Sequence, residues 1–293
     1  MQINTVGVIG AGQMGAGIAQ VFAAAGFKVI MQDIKPEFCE KGFNVIKGSL
    51  GKFLEKQKIT KDVHDAAIAN IKTTTSLNDL APCDIVIEAA PEIFNLKSEI
   101  FKSLDGITKK DAILATNTSS ISIAKIGAAT GRENKVIGMH FMNPVPIMQC
   151  VEIIRSPKTD DATASAVTEL VKKLGKTAVT SKDSPGFIMN RILMPMINEA
   201  VWTLHEGVAT AEDIDTGTKL SFNWPMGPLA LADLIGLDTV LAIVNVLYTE
   251  FKNEKYKPCP LLEQYVKEGR LGRKVKKGFY ENQHLNTPPA GRG

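Results

Sequence analysis

Over the first 180 or so positions, short β-branched runs alternate with stretches whose apolar residues recur every three or four places. The runs predict strands at Val6–Gly10, Phe27–Gln32, Ile71–Thr75, Asp84–Ala89, Ala112–Thr116, Val136–Phe141, Val151–Arg155 and Thr177–Ser181. Some are apolar without interruption, as in Ile85-Val86-Ile87, which is the pattern of a parallel strand buried on both faces. Segments such as Gly12–Ala25 and Glu92–Leu104 between them read as helices. Strand and helix in alternation predict an α/β domain with a mostly parallel, Rossmann-like sheet.

The pattern changes at Ser184-Pro185-Gly186, beyond which no strand is predicted. Pro185 suits a first helical position, where its missing N–H would have no partner anyway. In Gly186–Glu206 the residues Ile188, Met189, Ile192, Leu193, Met196, Ile197, Ala200, Val201 and Leu204 form one apolar stripe, with Pro195 as an expected kink. Further helices are expected at Ala211–Leu220, Asp238–Phe251 and Pro260–Glu268, separated by proline-rich turns. The chain of 293 residues thus divides into a dinucleotide-binding domain at 1–183 and an all-helical domain at 184–293. The polar tail after Tyr280 is expected to be disordered.

Composition removes several classes of function. With 44% apolar and 22% charged residues, the chain is neither disordered nor a coiled-coil rod. No apolar run approaches the ~18–20 residues of a membrane span. A net charge of +3 is too small for a nucleic-acid footprint. Cys39, Cys83, Cys150 and Cys259 have neither zinc-site nor CxxC spacing, so reduced thiols and no metal are expected. Only four residues precede the first strand, too few for a leader, and the terminal residues match no retention or peroxisomal signal. A cytoplasmic protein is expected.

Gly10-Ala11-Gly12-Gln13-Met14-Gly15 follows a strand and opens a helix. In such a turn the first glycine makes the bend, the second admits a pyrophosphate close to the backbone, and the third lets helix and strand pack. The helix N-terminus then offers its amides to the phosphates. A second strand ends at Asp33, 21 residues after Gly12, where a carboxylate can accept both hydroxyls of an adenosine ribose. Together these predict NAD. Asp33 disfavours the 2′-phosphate of NADP, although Lys35 softens that exclusion, and NADP is not excluded.

A nicotinamide cofactor calls for a proton relay beside it. Of the four histidines, His284 lies in the polar tail and His64 in a charged helix, both expected to be solvated, and His205 ends an apolar helix. His140 ends a strand at the carboxyl edge, where open α/β sheets bind ligands. If the chain reverses at Pro146, residue 140 falls opposite Glu152, the one acid in the run 149–154. A carboxylate there fixes the tautomer of an imidazole and suits it to acid–base work. From spacing alone, the alternative is a satisfied strand-end histidine near an edge glutamate.

Longer motifs carry a resemblance. Thr116-Asn117-Thr118-Ser119-Ser120, Gly138-Met139-His140-Phe141-Met142-Asn143-Pro144-Val145-Pro146 and Val151-Glu152 resemble the L-3-hydroxyacyl-CoA dehydrogenase family. So do Pro185-Gly186-Phe187-Ile188-Met189-Asn190-Arg191, Asp213-Ile214-Asp215, Pro225-Met226-Gly227-Pro228, Gly236-Leu237-Asp238 and Gly278-Phe279-Tyr280. The resemblance implies that His140 is the catalytic base, Glu152 its orienting carboxylate, and Ser119 and Asn190 hydrogen-bond partners of the substrate oxygen or the histidine. It also implies cofactor contacts at Asp33, Glu92, Lys97, Asn117, Ser119 and Asn143. Without it, Ser119 reads only as the N-cap of a helix at Ile121–Ala129. Met142, Gln149-Cys150 and Pro91 depart from the family pattern, and none falls on the acid–base pair.

Between Glu37 and Asp62 lie six lysines, among which Lys52 and Lys56, four apart, share a helical face. The face is either plain solvated surface or a site for the phosphates of a coenzyme A ester, and the resemblance puts the two readings level. The resemblance also implies a short-chain 3-hydroxyacyl-CoA as substrate and a homodimer built through the helical domain. The rivals are a dehydrogenase of a free 3-hydroxy acid on the same scaffold, and a nucleotide-binding protein without catalysis.

Overall fold

A computed structural model describes residues 2–281. The expected tail and its His284 lie, from residue 282 on, outside the described residues. The chain divides into two units, Met1–Ser184 and Pro185–Gly293.

The first unit holds β1 (Thr5–Ile9), α1 (Gln13–Ala24), β2 (Lys28–Gln32), α2 (Pro36–Glu55), α3 (Lys61–Ala69), β3 (Ile71–Thr74) and β4 (Ile85–Glu88). It continues with α4 (Phe94–Ile107), β5 (Ile113–Thr116), α5 (Ile123–Gly127), β6 (Val136–Phe141), β7 (Cys150–Arg155), α6 (Asp161–Lys173) and β8 (Thr177–Lys182). The eight strands form one sheet in the order β3-β2-β1-β4-β5-β6-β7-β8. From β3 to β6 every pairing is parallel, β7 runs antiparallel to β6, and β8 is parallel to β7. The mostly parallel α/β sheet is the one expected from the apolar runs. Each strand lies within a residue or two of its predicted bounds.

Alternation along the strands sorts the two faces. Val8, Met31, Ile87, Ala115, Met139, Phe141, Val151 and Ile153 join Ile18 and Phe22 of α1 and Val167 and Val171 of α6 in one core. Gly138 and His140 therefore project to the opposite face. There a Cβ on Gly138 would lie within 3.0 Å of both Ile154 and Ile123 of α5. The lack of a side chain at 138 is what lets α5 settle against β6.

The second unit contains α7 (Met189–His205), α8 (Ala211–Phe222), α9 (Pro228–Ile235), α10 (Leu237–Phe251) and α11 (Pro260–Lys267). Its core gathers Met194, Ile197 and Val201 of α7 with Leu229, Val240, Val244, Leu247 and Leu262. Two buried acids tie this unit together. Asp215 accepts the amides of Leu229 and Ala230 at the start of α9 and the hydroxyl of Tyr280. Asp233, 1% exposed, accepts the amides of Phe279 and Tyr280, and burial pushes its carboxyl up. A Cβ on Gly227 would sit 2.3 Å from the Asp215 carboxylate carbon, so that motif position has room only for glycine.

Three local expectations are corrected. The helix after Pro185 begins only at Met189, because Gly186 and Phe187 both have positive φ and reverse the chain first. Pro185 belongs to that turn and not to a first helical position. Pro228 opens α9, an eight-residue helix that the proline-rich stretch concealed. α5 is shorter than expected, and Ser122, not Ser119, caps it by accepting the Lys125 amide. Among the described residues, no single helix is long and apolar enough to cross a membrane.

Candidate active site

The site begins at the glycine turn. Gly10 has φ +93°, and a Cβ there would meet the Ala89 carbonyl at 2.7 Å. At Gly15 it would lie 1.7 Å from the Gly10 oxygen, so α1 starts as close to β1 as two backbones can come. Gly12 differs, since a Cβ on it meets nothing within 4 Å. It is also the N-cap of α1, and no side chain caps the helix there. Amides of the first turn thus face open space, which fits a pyrophosphate. Asp33, at the end of β2, accepts the Ala11 amide on one carboxylate oxygen and the Ile34 amide on the other, both at 2.7 Å. That fixes the carboxylate beside the turn, where a ribose would lie.

A second set of residues surrounds the ends of β4 and β5. Asn117 follows β5, and its side-chain oxygen accepts the Phe141 amide at 2.9 Å, joining the ends of β5 and β6. Asn143, just past β6, accepts from the Gln13 amide group at 3.0 Å. Two residues expected at the cofactor, 130 positions apart, are thereby side by side. Glu92 accepts from the backbone amides of Ser119 and Ser120 and from the Thr118 hydroxyl. Burial raises the Glu92 carboxyl, but the Lys97 charge and these hydrogen bonds outweigh it and hold the group below the ordinary range.

Lys97 is 1% exposed and lies beneath this loop. Its ammonium donates to Glu88 at 2.7 Å and to the Ala90 carbonyl at 3.1 Å, and pairs with Glu92 at 3.2 Å. Glu88, fully buried, also accepts the Ala90 amide and the Thr116 hydroxyl. Glu88 was missed in the sequence. The available signal was an acid closing the apolar run Ile85-Val86-Ile87, with a lysine nine places on.

His140 stands opposite Glu152 in the antiparallel pairing of β6 and β7, the register expected from a reversal near Pro146. The Nδ1 atom lies 3.1 Å from Glu152 Oε2, with His140 7% exposed and Glu152 buried outright. Cys150 occupies the next position of β7 on the same face as Glu152. Burial, and then the Glu152 charge, raise its thiol. Ser119 lies after β5, with its amide on Glu92.

Asn190 is in the first turn of α7, 8% exposed, and belongs to the second unit. Lys52 lies in the last turn of α2 and Lys56 is its C-cap residue, both exposed. His64 is half-buried against Asp65 at 2.8 Å, not solvated as expected. His205 packs edge-on against Trp202. Among the described residues, no group of His, Cys, Asp and Glu could hold a metal ion.

Two family models match this chain in succession. Residues 5–184 match the 3-hydroxyacyl-CoA dehydrogenase, NAD binding domain, and residues 186–282 match the 3-hydroxyacyl-CoA dehydrogenase, C-terminal domain. The chain belongs to the 3-hydroxyacyl-CoA dehydrogenase family. It is 51% identical over 287 residues to the 3-hydroxybutyryl-CoA dehydrogenase of Bradyrhizobium diazoefficiens, covering 98% of each chain. With a probable 3-hydroxybutyryl-CoA dehydrogenase of Deinococcus radiodurans it shares 54% identity over 275 residues, covering 94% of this chain and 99% of the relative. The crystal structure of the (S)-3-hydroxybutyryl-CoA dehydrogenase from Ralstonia eutropha is similar with a TM-score of 0.94 at 52% identity, covering 96% of this chain and all of that one. Family membership accounts for the glycine turn and Asp33 as parts of an NAD-binding domain.

The two glycines should separate binding from folding. Gly12→Ala is expected to leave the melting temperature nearly unchanged while weakening NADH binding about tenfold or more, or ~1.4 kcal/mol. Gly15→Ala should lower the melting temperature outright, because its Cβ meets backbone. Thermal denaturation with and without NADH, together with titration calorimetry, reads both effects.

Proposed function

We propose that this chain is an NAD-dependent dehydrogenase interconverting short-chain 3-hydroxyacyl-CoA and 3-oxoacyl-CoA, with 3-hydroxybutyryl-CoA and acetoacetyl-CoA as the substrate pair. The reading rests above all on the buried His140–Glu152 pair, set at the same sheet edge as the glycine turn and Asp33. The names of relatives that align over nearly the whole chain point the same way.

Gly10, Gly12, Gln13, Met14 and Gly15 hold the pyrophosphate, and Asp33 takes the adenosine ribose. Asn117, Ser119, Asn143 and Glu92 face the nicotinamide half, with Lys97 acting through Glu92 and the loop above it. When bound, the cofactor accepts a hydride from C3 of the substrate or returns it. In the oxidation direction His140 takes the hydroxyl proton on Nε2, the ring nitrogen away from Glu152. Glu152 keeps Nδ1–H pointing at itself and stabilises the imidazolium that forms, an interaction strengthened by its complete burial. Ser119 holds the substrate oxygen in line, reducing the entropy lost on reaction. For Asn190 the resemblance implies a hydrogen bond to the substrate oxygen or to the histidine. Asp33 selects NAD over NADP by repelling a 2′-phosphate.

Oxidation of NADH by acetoacetyl-CoA, followed at 340 nm, tests the reading. His140→Gln is expected to lower kcat about 10²–10⁴-fold, the range of general acid–base catalysis, and Glu152→Gln to lower kcat more than KM. NADPH should be the poorer donor. Turnover of free acetoacetate and not of the CoA ester would replace this reading by a free-acid dehydrogenase. Binding of NADH with no turnover of either would replace it by a non-catalytic binder.

Lys52 and Lys56 carry the coenzyme A phosphates in this reading. The double substitution Lys52→Ala and Lys56→Ala should raise KM for the CoA ester and spare an N-acetylcysteamine analogue. Equal effects on both substrates would remove the lysines from the site.

The enzyme works in the cytoplasm as a homodimer built through the helical unit. Leu220 and Phe222 of α8 are 79% and 60% exposed and supply apolar surface for such a contact. Sedimentation equilibrium at micromolar concentration should give twice the chain mass, and a monomer would refute the dimer.

A further inference from the structure

A recess of about 350 Å³ lies wholly within the first unit, away from the glycine turn and the His140–Glu152 pair. It opens where the carboxyl halves of α1, α2 and α6 approach the hairpin joining β6 to β7. Leu50 and Phe53 of α2 contribute apolar wall, while Gln20 of α1, Gln149 of the hairpin, and Lys173 and Lys176 supply its polar atoms.

Two of these polar groups are buried with bonding capacity left over. Lys176 is 8% exposed, and its ammonium donates to the carbonyls of Val145 and Met148 at 2.8 and 2.7 Å. An ammonium carries three N–H bonds, so one remains. Among the described residues no carboxylate pairs with it, and burial lowers its pKa, as expected of a charge without a counter-ion. Gln20 is 3% exposed and lines the same recess. Its side-chain amide makes no hydrogen bond to another described residue.

Both groups line the open recess and keep a donor that an occupant of it can use. An oxygen bearing negative charge can accept the third ammonium N–H and the amide N–H of Gln20 together, with Lys173 at the rim adding attraction. A cation cannot do this, and an apolar molecule would satisfy neither donor. The apolar wall in turn suits a ligand whose anionic group is carried on a carbon or ring framework.

We propose that this recess is a binding site for an oxyanion, carboxylate or phosphate, carried on an apolar or planar body, with Lys176 and Gln20 as its donors. A nucleotide phosphate and a short-chain carboxylic acid both have this chemistry. The proposal holds whether or not the chain is a dehydrogenase, since its test reads binding and not turnover.

Adenosine 3′,5′-bisphosphate and butyrate are titrated separately into the protein by calorimetry, with NADH saturating so that the nucleotide turn is blocked. Saturable binding of either probe is expected, and the one that binds identifies the source of the anion. Gln149→Glu supplies the missing carboxylate at the rim without touching the bonds from Lys176 to the hairpin. It should weaken that binding about tenfold or more and leave the melting temperature equal or higher. Gln20→Leu should weaken binding without placing a charge in the recess. Absence of binding by both probes would overturn the proposal and leave the recess to water. Binding unchanged by Gln149→Glu but lost in the Lys52→Ala, Lys56→Ala protein would overturn it equally, because the anion would then belong to the lysines of α2.

Discussion

Parallel strands carry their carboxyl ends to one edge of a sheet, but they keep residues that are close in sequence far apart in space. Only the reversal between β6 and β7 lets two residues twelve positions apart meet at that edge, and they are His140 and Glu152. Much else follows from this local antiparallel pairing. It forces the hairpin 142–149 to fold back over α1, where a Cβ on Gly17 would collide with Val145 at 2.8 Å. It brings Asn143 to Gln13 and so ties the second half of the sheet to the glycine turn. Lys176, at the entry to β8, secures the hairpin through two carbonyls.

A different logic governs the neighbouring loop. Glu88 and Lys97 are buried almost completely, and each would be costly alone, since removing one partner of such a pair costs about 3–5 kcal/mol. Together with Glu92, the Ala90 backbone and the hydroxyls of Thr116 and Thr118, they form a closed polar network. The stability gained by such a network is modest beside what it specifies. Glu92, the outermost member, is held by donors from Thr118, Ser119 and Ser120 in the segment after β5, so the ends of β4 and β5 are locked at a fixed separation. A site that positions a hydride donor needs that kind of rigidity more than it needs extra stability.

Much of this was legible in the residues. The β6–β7 register could be counted from Pro146 because antiparallel pairing is fixed once the turn is placed. The glycine turn, the acid at the end of β2 and the eight strands followed from periodicity and spacing. What was hidden has physical reasons. Glu88 looks like any strand-ending acid until folding puts Lys97 under it. α9 is eight residues long and opens with proline, so it offers too few turns for a helical period to emerge. Ser119 and Asn190 stood out only through resemblance, since a serine after a strand and an asparagine in a first turn are ordinary capping residues. Gly186 and Phe187 delay α7 through backbone conformations that apolar patterning does not register.

The clasp around Asp233 bears on how the molecule is made. The amides that satisfy this buried carboxylate come from Phe279 and Tyr280, and the Tyr280 hydroxyl reaches Asp215 as well. During synthesis α8 and α9 leave the ribosome tens of residues before their partners do. Until then Asp233 must stay hydrated and Asp215 lacks its tyrosine partner, so the helical unit cannot close its core around them. The first unit contains all of its own ladder partners by residue 182 and is free to fold as it emerges. Translation therefore imposes an order on the two halves, with the nucleotide-binding sheet complete while the helical unit still waits for its last turn of chain.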